Sequence, residues 1–111
     1  MKKATLFIFL LFSYKVCTAS FETGNTIYAG LEDWKRDSTT SPIKAGQSFG
    51  YVIGVHDALD GSVICTPSNA SKGQLVDIVF NYLRDNPQIR HKSADELITQ
   101  ALIKFYPCKR K

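Results

Sequence analysis

The 111-residue sequence lacks an apolar stretch long enough to span a bilayer. Its longest apolar run, residues 4–14, is far shorter than the roughly 20 residues that a membrane-spanning helix needs. Two lysines precede this run and small residues follow it, which is the pattern of a secretory signal. We therefore predict a cleaved signal peptide over residues 1–20. Cleavage after Ala19 and cleavage after Ser20 fit equally well.

The predicted mature chain also lacks a large excess of charge. The leader holds three of the 14 basic residues and none of the ten acidic ones, which leaves 11 basic residues against ten acidic ones. No basic stripe with interleaved aromatic residues is present, so we expect no nucleic-acid partner. The length predicts one domain, over residues 21–111.

Cysteine and histidine are scarce. Only Cys65 and Cys108 remain after the leader, and in an exported chain such a pair predicts one disulfide. A zinc site that combines them with His56 and His91 is the competing interpretation, but their spacing matches no zinc-ligand pattern. We predict the disulfide, with no metal and no cofactor.

Patterns that carry catalysis are also missing. No serine stands in a nucleophile-elbow context, and the glycines lack the context of a phosphate-binding loop. His56 precedes Asp57, but neighbouring residues on a helix point about 100° apart, so we expect no charge pair directed at one target. His56 is interpreted as a satisfied core or interface histidine. We predict that the protein is not an enzyme.

The sequence does contain four segments with apolar residues at helical spacing. They are residues 25–36, residues 47–59, and the segments after Ser71 and Ser93. Each of these two serines stands three residues before Gln or Glu, which predicts a capping box. The fold prediction is all-α: a small helical bundle of about four helices with one disulfide, after the signal peptide. A strand in place of the second helix is the alternative.

The predicted second helix carries small residues at four-residue spacing. They are Gly46, Gly50, Gly54 and Ala58. Because an interior glycine costs a helix about 1 kcal/mol relative to alanine, we expect another backbone to approach this stripe closely. That backbone belongs either to this chain or to a dimer partner. Residues 37–46 and 61–70 are predicted connections, and either could serve as a binding loop.

Short motifs follow one another through the mature chain. They are Gly50-Tyr51-Val52-Ile53-Gly54-Val55-His56-Asp57-Ala58, Ile64-Cys65-Thr66-Pro67, Gly73-Gln74-Leu75-Val76-Asp77-Ile78-Val79, Tyr82-Leu83, Pro87, His91, Ala101-Leu102 and Phe105-Tyr106-Pro107-Cys108. In this order the chain resembles the Rap/Tai immunity proteins of bacterial type VI secretion systems, over about residues 23–108. Many relatives carry a further cysteine before the Gly-Tyr pair, where this sequence has Ser48.

The resemblance implies a periplasmic protein that binds and blocks a type VI secreted, cell-wall-degrading amidase of the cysteine peptidase type. It also implies a possible homodimer and no stable membrane insertion. Trp34 and Tyr51 are candidate anchors for the toxin, although a core position is the alternative for each. Lys44, His56 and Asp57 are further candidate contacts. A small periplasmic stress chaperone and an envelope structural or adaptor protein are the alternative functions.

Overall fold

The described residues form four α-helices. The computed structural model describes residues 20–36 and 41–109, so the predicted signal peptide, except Ser20, lies outside the described residues. The helices are α1 (Gly24–Lys35), α2 (Pro42–Leu59), α3 (Lys72–Asp85) and α4 (Ala94–Phe105), with a short 3-10 helix (Pro87–Ile89) between α3 and α4. The all-α prediction is confirmed. The strand alternative for residues 47–59 is wrong, because this segment lies within α2.

The start of α2 differs from the prediction. This helix begins at Pro42 rather than at residue 47. Proline suits the first turn of a helix because its missing N–H would have no intrahelical partner there. Lys44, predicted to lie in the connection, is therefore an exposed residue of the first turns of α2.

Capping boxes begin two of the helices. The Ser71 amide donates to Gln74 Oε1 at 2.8 Å, and the Gln74 amide donates back to Ser71 Oγ at 3.2 Å, which confirms the predicted box of α3. At α1, Thr23 and Thr26 make the same reciprocal pair. The sequence signature missed this second box because it expects Glu or Gln where Thr26 stands.

The predicted capping box of α4 is wrong. Ser93 is the N-cap residue, but its hydroxyl donates to the Asp95 carboxylate instead of accepting a hydrogen bond from the helix backbone. The Ser93 hydroxyl is thus directed toward Asp95 rather than toward the backbone amides of the first turn. The acidic first turn, formed by Asp95 and Glu96, still suits the positive end of the helix dipole.

The core lies where the four helices meet. Its largest fully buried side chains come from every helix and from the connection between α2 and α3: Ile27, Leu31, Val52, Ile64, Val76, Val79, Leu83, Leu97, Ile98 and Leu102. Full burial of one such side chain stabilises a fold by about 1.5–3 kcal/mol. None of the four described helices has the length and apolarity needed to cross a membrane.

The predicted disulfide between Cys65 and Cys108 is confirmed, with 4.8 Å between the two Cα atoms. Residues 60–70, which we call the disulfide-linked loop, connect α2 to α3 and contain Cys65. Cys108 follows α4. The Cys65 amide also donates to the Tyr106 carbonyl at 2.9 Å, and Ile64 of the loop is fully buried. The bond between the cysteines therefore joins two segments that the backbone and the core already hold together.

The glycine stripe of α2 does not contact another helix of the described chain. A Cβ atom at Gly46, Gly50 or Gly54 would meet no described atom within 4 Å. The close approach of α1 and α2 is at Gly30 instead, where a Cβ would lie 2.6 Å from the Ser48 Cβ and 2.8 Å from a carbonyl oxygen of α2. The prediction of a stripe packed within this chain is therefore wrong, and contact with a second copy stays a prediction.

Candidate functional site

His56 connects the end of α2 to the disulfide-linked loop. Its Nδ1 lies 2.9 Å from Asp57 Oδ1, and its Nε2 lies 2.8 Å from Thr66 Oγ1. The residue is only 8% exposed, so both ring nitrogens have partners in a nearly buried position. The structure confirms the interpretation of His56 as a satisfied histidine. The sequence analysis did not connect Thr66 with His56, because no helical periodicity relates the two positions.

The pair formed by His56 and Asp57 contradicts one sequence argument. The angle of about 100° separates only the Cα–Cβ directions of neighbouring residues, and side-chain rotation still brings the imidazole and the carboxylate together. The Asp57 side chain is 71% exposed. The pair therefore places one carboxylate at the surface in an orientation set by a nearly buried ring.

The order carboxylate, imidazole, hydroxyl is also that of a nucleophilic triad. Asp60 distinguishes this arrangement from such a triad. Its Oδ1 accepts the Thr66 amide at 3.1 Å and lies 3.8 Å from His56 Nε2. A carboxylate this close to the ring nitrogen that contacts the hydroxyl opposes the negative charge of an oxyanion, and the Thr66 amide is already bonded to Asp60. The arrangement is suited to holding the loop on α2.

A shallow groove of about 240 Å³ lies over this network. The groove is lined by residues from α2, from the disulfide-linked loop and from the start of α3: Ile53, His56, Asp57, Asp60, Thr66, Pro67, Ser68, Ala70, Lys72 and Leu75. Pro67 and Ser68 of this lining, and the following Asn69, are exposed at the surface of the loop. This end of the bundle therefore combines a rigid loop, surface carboxylates and one lysine.

A second groove, of about 480 Å³, lies between α1 and α2. We call it the α1–α2 groove; it is lined by Glu22, Thr26, Ile27, Lys44, Gln47, Ser48 and Tyr51. Lys44 and Tyr51 share it because they stand about two helical turns apart on α2. Burial raises the pKa of Tyr51, and the carboxylates of Asp95 and Glu22 raise it further. The Tyr51 hydroxyl therefore stays protonated at neutral pH.

Trp34 lies apart from both grooves. It packs against Phe49 of α2, with 4.5 Å between the ring centroids, and it remains 51% exposed. The core alternative is thus wrong for Trp34, whereas Tyr51 is half-buried. The five candidate contact residues consequently form no single site: one pair lies at the disulfide-linked loop, another in the α1–α2 groove, and Trp34 lies elsewhere.

Comparison with known proteins identifies one family. The model of the Rap1a immunity proteins matches residues 13–108, which include all four helices and both cysteines of the disulfide. Comparison with curated proteins finds no match.

Proposed function

The chain belongs to the Rap1a immunity proteins, and we propose that it is a periplasmic protein that blocks a type VI secreted peptidoglycan amidase. Binding would occlude the active-site cleft of a toxin of the cysteine peptidase type and so protect the producing cell. Family membership supports binding of a toxin. The disulfide-linked loop is the single observation that carries the proposed mode of binding.

Rigidity is what suits this loop to occlusion. The loop is held by a disulfide at Cys65, by the buried side chain of Ile64 and by the hydrogen bond between Thr66 and His56. A segment whose conformation is already fixed loses less entropy when it enters a cleft. Because the mature chain has nearly equal numbers of bases and acids, affinity has to come from this preformed surface rather than from long-range steering.

The disulfide also supports the proposed location. Disulfides persist in oxidising compartments such as the bacterial periplasm, and they are rare in the cytosol. The predicted signal peptide over residues 1–20 would deliver the chain there. A peptidoglycan amidase acts outside the inner membrane, so an inhibitor must reach the same compartment.

The outer face of α2 supports a homodimer. Gly46, Gly50 and Gly54 are exposed on this face, and Ile43 at its N-terminal end is 75% exposed. Without Cβ atoms in the way, a helix of a second copy could approach the α2 backbone closely. We propose that two copies of the chain meet at this face.

The experiment coexpresses a candidate amidase, directed to the periplasm, with variants of this chain. We expect the full-length chain to rescue growth and to copurify with the amidase. Ser68→Arg and Asn69→Arg together place two large charged side chains on the exposed loop, and we expect them to weaken binding at least about tenfold, which corresponds to about 1.4 kcal/mol. Gln88→Arg, exposed in the 3-10 helix, is the matched control.

Two outcomes would contradict the proposal. The first is rescue by a chain that lacks residues 2–20, because that protein would stay in the cytosol. The second is wild-type affinity of the Ser68→Arg, Asn69→Arg variant for the amidase. Protection of stressed cells without binding to any amidase would favour the chaperone or the adaptor instead.

A further inference from the structure

The α1–α2 groove lies on the opposite side of α2 from the disulfide-linked loop. Four α2 residues line it at the spacing of one helix face: Lys44, Gln47, Ser48 and Tyr51. The groove over the loop is lined by a different set from the end of this helix: Ile53, His56, Asp57 and Asp60. Because each residue of a helix is turned about 100° from the one before it, Tyr51 and Ile53 point about 200° apart. The α1–α2 groove is therefore a separate surface from the one proposed for the toxin.

Opposite charges lie at the two ends of the α1–α2 groove. The ammonium group belongs to Lys44 in the first turn of α2, and the carboxylate belongs to Glu22, just before α1. The close approach of Gly30 to Ser48 and the short connection between the two helices make α1 and α2 antiparallel neighbours. Glu22 therefore lies toward the Tyr51 end of the groove, and Lys44 lies at the other end.

The charge at each end has structural support. The Glu22 carbonyl accepts the Ala94 amide at 2.9 Å, and the Glu22 carboxylate accepts the Thr26 hydroxyl at 2.6 Å, so this carboxylate is fixed to the folded body. At the other end the Ser41 side chain does not cap α2, and the positive end of the helix dipole adds to the charge of Lys44. A ligand is therefore favoured if it places a negative group at Lys44 and a positive group at Glu22.

The dimensions of the groove match a short peptide. Lys44 and Tyr51 are about two helical turns apart, which is about 10 Å at a rise of about 1.5 Å per residue. An extended chain of about three residues covers the same distance, at about 3.3–3.6 Å per residue. The volume of about 480 Å³ lies within the range of small-molecule sites, about 300–1,000 Å³. The side chains of Thr26 and Gln47 offer a hydroxyl and an amide to the N–H and C=O groups of a peptide backbone.

We propose that the α1–α2 groove binds a free peptide of about three residues, with its α-carboxylate at Lys44 and its α-ammonium group at Glu22. Glu22 would repel a ligand that carries only negative charge, and Lys44 would repel one that carries only positive charge. A peptide with two charged termini satisfies both ends of the groove at once. Neither the toxin nor the disulfide-linked loop takes part in this binding.

The experiment titrates the purified protein with trialanine and follows the backbone amide signals by NMR. The signals of the groove residues should shift, whereas those of the disulfide-linked loop should not. N-acetyl-trialanine lacks the ammonium group and trialanine amide lacks the carboxylate. Each should bind about three- to tenfold more weakly, as expected for the loss of one ion pair at a partly exposed site. Equal binding of the three peptides, or no shift in the groove up to the solubility limit of trialanine, would overturn the inference.

Neutral variants assign each terminus of the peptide to its end of the groove. Lys44→Gln should bind trialanine and trialanine amide equally well, and Glu22→Gln should bind trialanine and N-acetyl-trialanine equally well. Lys72→Gln and Glu96→Gln are the matched controls, because Lys72 lines the other groove and Glu96 is exposed in the first turn of α4. Both controls should keep the preferences of the wild type. The reverse assignment of the two termini, or a lost preference in either control, would contradict the proposed site.

Discussion

The C-terminal end of α2 and its outer face differ in how firmly they are tied to the rest of the chain. At the end of the helix, His56 bonds to Thr66, and the disulfide-linked loop is fastened to the segment after α4. On the outer face, Gly46, Gly50 and Gly54 contact no other helix of the described chain. A fixed loop suits insertion into a cleft, whereas a flat helix face suits packing against another helix. In the proposed function, one helix thus takes part in two contacts of different kinds, one with the toxin and one with a second copy.

Removal of the disulfide, which fastens the loop at the C-terminal end of α2, should cause the largest loss of stability. We expect the double variant Cys65→Ala, Cys108→Ala to lose about 2–5 kcal/mol of the free energy of unfolding. Urea denaturation of the periplasmic protein measures this loss. Wild-type protein in a reducing agent is the control and should behave like the variant. Two alkylatable thiols in the native wild type would contradict the disulfide itself.

A methyl group at Gly30 should be the next largest perturbation. Gly30→Ala places a Cβ against Ser48 and the α2 backbone, and overpacking of this kind costs about 1–3 kcal/mol. Thermal and urea unfolding would both detect it. Because this contact sets the distance between α1 and α2, an unchanged stability would mean that the two helices lie further apart than described.

Loss of the Thr66 hydroxyl tests the bond between α2 and the loop. Thr66→Val keeps the side-chain volume and removes the partner of His56 Nε2, so we expect a loss of about 0.5–1.5 kcal/mol. Ser62→Ala is the control inside the same loop, since the Ser62 hydroxyl bonds only to the nearby Leu59 carbonyl. If both variants lose the same stability, the His56 bond has no special role.

On the outer face of α2, a substitution should raise the free energy of unfolding rather than lower it. Gly54→Ala should raise the stability of the monomer by about 0.5–1 kcal/mol, because alanine favours the helix and its methyl group meets open space. Gly54→Leu should leave the monomer folded and abolish dimerisation, as measured by analytical ultracentrifugation. A dimer that persists in the leucine variant would show that the two copies meet elsewhere.

Lys44→Glu should have the smallest effect on stability, within about 0.5 kcal/mol, because Lys44 is exposed. Its effect on rescue from the amidase tests whether the toxin contacts the α1–α2 groove as well as the disulfide-linked loop. If the toxin binds only the disulfide-linked loop, rescue should be unchanged. Weakened rescue by a folded Lys44→Glu variant would extend the binding surface to the α1–α2 groove.

Local signals predicted α3 and α4 well and the start of α2 poorly. In α3 and α4 the apolar residues repeat on one face, and Asn86 and Pro107 follow the helix ends. In α2, Phe49, Tyr51, Ile53 and their apolar neighbours surround much of the helix, so its pattern does not reveal which face is buried. The apolar spacing therefore predicted the helix correctly, whereas the glycine stripe contacts no other helix of the described chain.

The contacts between distant residues escaped prediction for a different reason. His56 meets Thr66, and Thr23 pairs with Ser93, only because the folded chain brings their segments together. The predicted capping box at Ser93 does not form, and the hydroxyl is directed toward the neighbouring Asp95 carboxylate instead. The cysteine pairing was predictable because only two cysteines remain after the predicted leader. With one possible pair, no geometric information was needed.

The disulfide also changes what a single cut in the chain would do. Cys65 and Cys108 are 43 positions apart and close a covalent ring that contains both α3 and α4. A protease that nicks the exposed turn at His91 and Lys92 would leave two fragments still joined through sulfur, with Leu83 and Leu97 still buried on either side of the cut. In a compartment that contains proteases, one such nick would not release α4 from the other three helices. Separating the fragments would take a second cut or a reductant.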